Sequence, residues 1–276
     1  MSLRYHRRQK KISVTVNLKS VLYYDINPQI LAFTTDRSVG RDPMLIRQAL
    51  KTEAALLYPH QIHSDRVMQI SDDFLSLPEA TRKILLEGVD AIVSQARKVI
   101  MGVSTADCIP VIVYDPMHHA AAAIHAGWRG TVRRIVQKAI DEMHIAFGTN
   151  SADCKAVIGP GISMDSFEVG DEVYAAFVDA RLLPNASYGE DANERLAKIY
   201  PAKTAPTEES RVAGVDKWHL NLKEINRNQL LTAGLKNDNI IMSDVDTFTN
   251  PDFFSARREQ KGSEKCGRNL TAFMLK

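Results

Sequence analysis

Three side chains capable of binding a metal lie far apart in this sequence: His63 in "HQIHSDRV", Cys108 in "TADC" and His125 in "HAGW". A thiolate and two imidazoles form a good donor set for zinc. Three protein donors leave a fourth tetrahedral position for water or substrate, which is the catalytic pattern rather than the closed structural one. The spacings are long, unlike the paired Cys-x-x-Cys of a structural zinc site. Residue types alone leave three readings open. The residues could share a metal centre. They could be a core cysteine and two hydrogen-bonded histidines. Or Cys108 could be a nucleophile with His125 as its base, with no metal.

Any shared centre must be assembled by the elements around these residues. Cys108 stands just before a β-rich run, Ile109–Tyr114, and His125 ends another, Ala120–His125. The turn "DPMHH" joins them, and its His118 and His119 read as solvated. After His125 the apolar residues Val132, Ile135, Val136, Ala139, Ile140, Met143 and Phe147 recur at steps of three and four. That spacing predicts one amphipathic helix stopped by Gly148. His125 thus sits at a strand-to-helix junction, where open α/β sheets bind ligands.

Further strands are expected at Ile12–Val16, Val21–Tyr24, Val67–Ile70, Ala91–Ser94, Val99–Thr105, Lys155–Ile158, Ile240–Ser243 and Leu270–Leu275. Helices are expected at Leu45–Leu56, Pro78–Glu87, Asp165–Ala180 (capped by Ser163 or Asp165) and across "HLNLKEINRNQLLTAGL", stopped by Gly234. The fold class is α/β. Residues 181–218 read as a long surface loop with a short helix near Ala192–Ile199, not as a linker, so 1–276 is expected to be one domain.

A chain of 276 residues can bury a large core. Its net charge of +2 makes no bulk case for nucleic acid or membrane. The apolar runs fall short of the roughly 18 residues a span needs. The basic stretch within residues 1–11 lacks the apolar region of a signal peptide and reads as a solvated arm. The three cysteines, Cys108, Cys154 and Cys266, are odd in number and form no Cys-x-x-Cys. Free thiols in the cytoplasm are expected. No Gly-x-Gly-x-x-Gly or P-loop occurs, so neither a dinucleotide nor a Walker-type site is expected.

The order of "QIH", "GVDAIVS", "STADCIPVIVYDP", "AAIHAGWRGTV", "IGPGIS…SFEVGDEV", "LNLKEINRNQL" and "FFSARR…GR" resembles the YfiH/YlmD family, from about Phe33 onward. That family was formerly called multicopper polyphenol oxidase, or laccase domain, proteins. The resemblance implies a single α/β (α+β) domain with mixed β-sheet layers flanked by helices. It implies a zinc-dependent purine nucleoside phosphorylase acting on adenosine, inosine, guanosine and methylthioadenosine, with adenosine deaminase activity. The expected partners are purine nucleosides and phosphate, and monomer and homodimer stay open. The family's metal-binding residues match His63 (behind Gln61), Cys108 and His125. Copper is the alternative metal, yet copper oxidases need several His-x-His motifs and this chain, with eight histidines, has none.

Zinc beside a thiolate favours water activation for attack on purine C6 with loss of ammonia. The usual zinc-deaminase signature is absent. Asp107 either shuttles a proton or orients a ligand imidazole. Phosphorolysis needs cations for phosphate: Arg129, Arg257 and Arg258 are the candidates, and a structural salt bridge is the alternative for each. The helix N-terminus after Trp128 is another phosphate acceptor. Trp128 either closes the site rim or stacks on a base. His60 is expected near the site but outside the donor set. Gly127 and Gly130 suit a tight turn, and the glycines of "IGPGIS" either shape a turn or line the pocket.

Four positions depart from the family pattern. Ser64 replaces a glycine. Asp36 stands where an arginine is expected, unless Arg37 takes its place. Asp246 and Ala256 replace a cysteine and a tyrosine. None is expected to break the metal site.

Overall fold

The computed structural model describes residues 13–17, 20–183, 194–200, 217–262 and 267–276. The N-terminal arm, Cys266 and much of the expected 181–218 loop lie outside them. Among the described residues no helix is long and apolar enough to cross a membrane.

Two six-stranded mixed sheets carry the fold. The first contains β1 (Ser13–Asn17), β2 (Val21–Asp25), β3 (Ile30–Thr35), β4 (Ala55–Leu57), β7 (Val99–Thr105) and β15 (Asn269–Leu275), in the order β1-β2-β3-β15-β7-β4. The second contains β5 (Val67–Ile70), β6 (Ala91–Ser94), β8 (Ile109–Asp115), β9 (Ala120–Ala126), β10 (Lys155–Ile158) and β14 (Ile240–Met242), in the order β14-β10-β8-β9-β6-β5. A small third sheet joins β11 (Glu168–Val169), β12 (Ala197–Tyr200) and β13 (Lys217–Leu220) in the order β11-β13-β12. The helices are α1 (Pro43–Leu50), α2 (Asp72–Ser76), α3 (Glu79–Leu85), α4 (Trp128–Val132), α5 (Ile135–Phe147), α6 (Asp171–Asp179), α7 (Leu222–Thr232) and α8 (Ala256–Gln260).

The period of two along each strand sorts its side chains between two cores. Ile112 and Tyr114 of β8, with Ala121 and Ala123 of β9, face Met101, Val103, Phe273 and Leu275 of the first sheet. The alternate residues Ile109, Val111, Ala122 and Ile124 pack with Val136, Ala139 and Met143 of α5 and with Ile225 and Leu230 of α7. A third core lies on the outer face of the first sheet, where Phe33, Ile100 and Ala272 meet Ile46 of α1. The order of layers is thus helix, sheet, sheet, helices. Each fully buried Val or Ile contributes roughly 1.5–3 kcal/mol to holding them together.

Several expected elements differ. The helix expected over Leu45–Leu56 ends at Leu50, where Lys51 turns left-handed at φ 53°, and Ala55–Leu57 pairs with β7 instead. The helix expected from Val132 is two: Arg134, at φ 61°, breaks the chain between α4 and α5. Gly148, at φ 72°, does stop α5. The helix expected from Asp165 begins at Asp171, because a turn and β11 occupy its first residues. Ala197–Ile199, expected in a short helix, lie in β12. β3, β4, β11, β13, α2 and α8 were not anticipated, and His219 and Leu220, expected to open a helix, lie in β13 instead.

Candidate functional site

Strand pairing brings Cys108 and His125 together. β8 and β9 run antiparallel with Pro110 opposite His125 and Ile109 opposite Ala126. Continuing that register sets Cys108 opposite Gly127 and diagonal to His125 on the same face, within side-chain reach. Both project from the strand ends toward the first sheet. Gly127 has no side chain where one would intrude. A Cβ there would lie 3.0 Å from Cys108 Sγ and 3.0 Å from His63 Cδ2.

His63 arrives from a loop, and one carboxylate holds that loop in place. Asp90, just before β6, is fully buried. Its two oxygens accept the backbone N–H groups of Ile62 at 3.1 Å, His63 at 3.0 Å and Ser64 at 2.8 Å. Three successive N–H groups converge because His63 is left-handed, at φ 63°. The Ser64 hydroxyl donates to the same carboxylate at 2.7 Å, adding one more donor to it. Asp90 Oδ1 also lies 2.6 Å from His125 Nδ1. That contact leaves His125 Nε2 facing Cys108. Gln61 ties the loop to β7 through both its amide groups, accepting from Ser104 N at 2.7 Å and donating to Ser104 O at 2.9 Å.

The outcome is a compact donor set. One ligand atom each from His63, Cys108 and His125 lies within 4.8 Å of the others, and the two rings meet edge-on at 4.9 Å. Burial pushes the Cys108 thiol up, but the imidazoles of His125 and His63 outweigh it and bring the thiol down to about 6. Burial likewise opposes charge on His125, while Cys108 and Asp90 raise it to about 9. Burial also works against the Asp90 carboxylate, yet the donors from His125 and Ser64 hold it below the usual carboxylate range. A thiolate, two imidazoles, an orienting carboxylate and a missing Cβ fit one metal ion.

The three residues border a cleft of about 830 Å³, together with Arg37, Arg41, Arg129 and Arg268. Arg129 is exposed, and its guanidinium rests 4.3 Å from the Trp128 ring centre. Trp128 packs on the α5 core and does not border the cleft. His60 borders the cleft but pairs with Glu87 at 2.6 Å.

Other expected residues turn elsewhere. The Asp107 carboxylate accepts from Thr247 at 2.7 Å, Ser255 at 2.9 Å and the Arg257 backbone at 2.8 Å, and burial raises its pKa despite these donors. It ties the 247–257 segment to the site strand, and the carboxylate that meets a ligand imidazole is Asp90. The Arg257 guanidinium donates to Ser166 O at 3.0 Å and Glu168 O at 2.8 Å. Arg258 donates to the carbonyls of Thr247, Phe248, Asn250 and Phe253. Neither arginine borders the cleft, because both are spent on loop carbonyls.

Asp36 caps its own turn through Ser38 N at 2.8 Å, while Arg37 beside it borders the cleft. Asp246 accepts from Ser163 and Ser166, and Ala256 lies on the cleft wall. The glycines of "IGPGIS" do not border the cleft. His118 and His119 are partnered, at 2.8 Å by Asp115 and at 3.0 Å by Tyr114.

Asp90, Arg37, Arg41 and Arg268 were not singled out from the sequence as firm site residues. Asp90 had one signal: a lone acid opening an otherwise apolar strand, which must find donors when buried.

The family model described as multi-copper polyphenol oxidoreductase laccase matches residues 23–276. The purine nucleoside phosphorylase of Bacteroides thetaiotaomicron is 39% identical over 239 residues, covering 86% of this chain and 80% of that protein. Adenosine deaminase RL5, from an unknown prokaryotic organism, is 36% identical over 247 residues, covering 86% of this chain and 85% of that one. The crystal structure of the Bacillus licheniformis hypothetical protein YfiH superposes with a TM-score of 0.76 at 25% identity, covering 95% of this chain and 99% of that one. With its strand-end His/Cys/His set and a match over nearly its whole length, the chain belongs to the multi-copper polyphenol oxidoreductase laccase family, which includes the YfiH and YlmD proteins.

Proposed function

We propose that this chain is a cytoplasmic purine nucleoside phosphorylase with adenosine deaminase activity, and that His63, Cys108 and His125 hold zinc. One observation carries the reading: the three donors gather within 4.8 Å on the wall of a cleft that also presents four arginines. Relatives bearing both activity names support it. The free thiols of Cys108 and Cys154 suit a reducing compartment. Adenosine, inosine, guanosine and methylthioadenosine are the proposed substrates.

Phosphorolysis forms a bond from a phosphate oxygen to ribose C1′ and breaks the bond from C1′ to the purine nitrogen. The base leaves with the electron pair and takes up a proton. Guanidinium groups suit the doubly charged phosphate, because each offers two parallel N–H donors to its oxygens. Arg129 and Arg37 are the proposed phosphate partners. Deamination adds water at purine C6 and releases ammonia. Zinc, when bound, supplies the Lewis acidity for polarising the base or activating water. Asp90 keeps the Nδ1 proton on His125, so Nε2 stays free as a donor to the ion.

The donor chemistry itself favours a second reading, since two histidines and a cysteine also suit copper. The test of both is purified protein incubated with adenosine and phosphate, with products separated by chromatography and metals measured by elemental analysis. The expected result is adenine with ribose 1-phosphate, together with inosine, and stoichiometric zinc. Absence of every product and of zinc overturns the proposal, and stoichiometric copper with oxygen uptake replaces it.

A further inference from the structure

A second cleft, of about 680 Å³, opens beside the first and shares Arg41, Pro59 and His60 with it. α1, β4 and α3 wall it. Its floor is apolar and aromatic, from Leu56, Leu57, Tyr58 and Leu86. Its two carboxylates are engaged: Glu79 pairs with Lys83 at 2.7 Å, and Glu87 with His60 at 2.6 Å.

Three guanidinium groups remain. Arg47 spends only its Nε, on Ala54 O at 3.2 Å. Arg41 stands 5.8 Å from the Tyr58 ring centre. Arg82 is the informative one. Its Nε is shut away from solvent and has no acceptor among the described residues. Folded proteins rarely leave a buried N–H donor without a partner. A small turn of the Arg82 side chain onto a ligand oxygen in the cleft would give that donor an acceptor.

Three forks around one space match the three terminal oxygens and double charge of a phosphomonoester better than a single carboxylate. The shared wall at Arg41 and His60 joins this space to the cleft that holds the His/Cys/His set. We propose that the second cleft binds the phosphate of a nucleoside 5′-phosphate whose base and ribose lie in the first cleft. This rests on the purine nucleoside reading above and extends it to nucleotides as ligands.

The test is calorimetric binding of AMP, adenosine and inorganic phosphate to the whole protein and to R82Q and K83Q. Wild type is expected to bind AMP at least about tenfold more tightly than adenosine, the effect of one added charge-assisted contact. R82Q is expected to erase that preference while adenosine turnover, which also reports correct folding, stays unchanged. K83Q alters an exposed side chain and is expected to reduce the preference less. Equal affinity for AMP and adenosine in wild type, or AMP binding untouched by R82Q, overturns the proposal. So does inorganic phosphate binding with the same R82Q dependence while AMP gains nothing from the cleft. Failure of adenosine turnover in wild type strikes the purine nucleoside reading instead, and the AMP response to R82Q is still read.

Discussion

Asp90 Oδ1 and His125 Nδ1 lie 2.6 Å apart, with both side chains buried and with three backbone N–H groups of the His63 loop on the same carboxylate. One acid therefore fixes both histidines of the candidate centre. Asp90→Asn keeps the shape but puts an NH₂ group against donors. Zinc affinity is expected to fall about 10–100-fold, the usual cost of losing such a supporting group. Competition against a chromophoric chelator measures it, and an unchanged affinity removes Asp90 from this role.

The Cys108 thiol should be reactive near neutral pH. In chelator-treated protein, its iodoacetamide alkylation is expected to rise with pH through a midpoint of about 6 and then level off. His125→Gln moves that midpoint upward. Cys154 is buried and pushed up to about 12, so it stays unmodified. Global stability is a poor readout here. The depressed Cys108 pKa gives stability that is lost as pH falls through about 6, and the raised His125 pKa gives stability that is lost as pH rises through about 9, so their slopes oppose one another between these values. Peptide mass spectrometry across pH decides the matter, and a Cys108 midpoint near the ordinary thiol value contradicts it.

Gly127→Ala separates packing from backbone strain. At φ −66° an alanine is conformationally free, but its methyl group would press on Cys108 Sγ and His63 Cδ2. Such crowding typically costs about 1–3 kcal/mol, so metal affinity is expected to weaken by at least about tenfold. The same atoms are crowded in the metal-free protein, so its melting temperature is expected to fall as well, by roughly a few degrees. A variant that binds zinc like wild type means the two sulfur and ring atoms can give way.

Arg129 and Arg257 should part company when each is changed to glutamine. Arg257→Gln loses two bonds to loop carbonyls and is expected to lower stability by about 1–3 kcal/mol. Arg129→Gln is expected to leave the denaturant midpoint alone and to raise KM for phosphate about tenfold. Equal stability loss in both variants would make Arg129 structural as well.

The central strands were legible because Ile109–Tyr114 and Val99–Thr105 are short apolar runs, buried on both faces. The helix expected over Leu45–Leu56 failed for a local reason. Leu45, Ala49 and Leu56 keep helical spacing, yet Lys51 adopts a left-handed cap, and parallel pairing of Ala55–Leu57 with β7 outweighs propensity. In the site, the types of His63, Cys108 and His125 were readable, but their proximity depends on a β8–β9 register and a left-handed His63 that no spacing reveals. Arg257 and Arg258 looked available because a sequence hides which carbonyls a guanidinium will meet.

β15 enters the first sheet between β3 and β7, although β7 precedes it by most of the chain. During synthesis, β3 and β7 have no common neighbour until this segment emerges, and each offers an open edge in the meantime. The strand that completes the first sheet follows Arg268 directly, so one wall of the cleft forms in the same late step. A nascent chain stalled before Asn269 is therefore both prone to self-association and unable to form that wall.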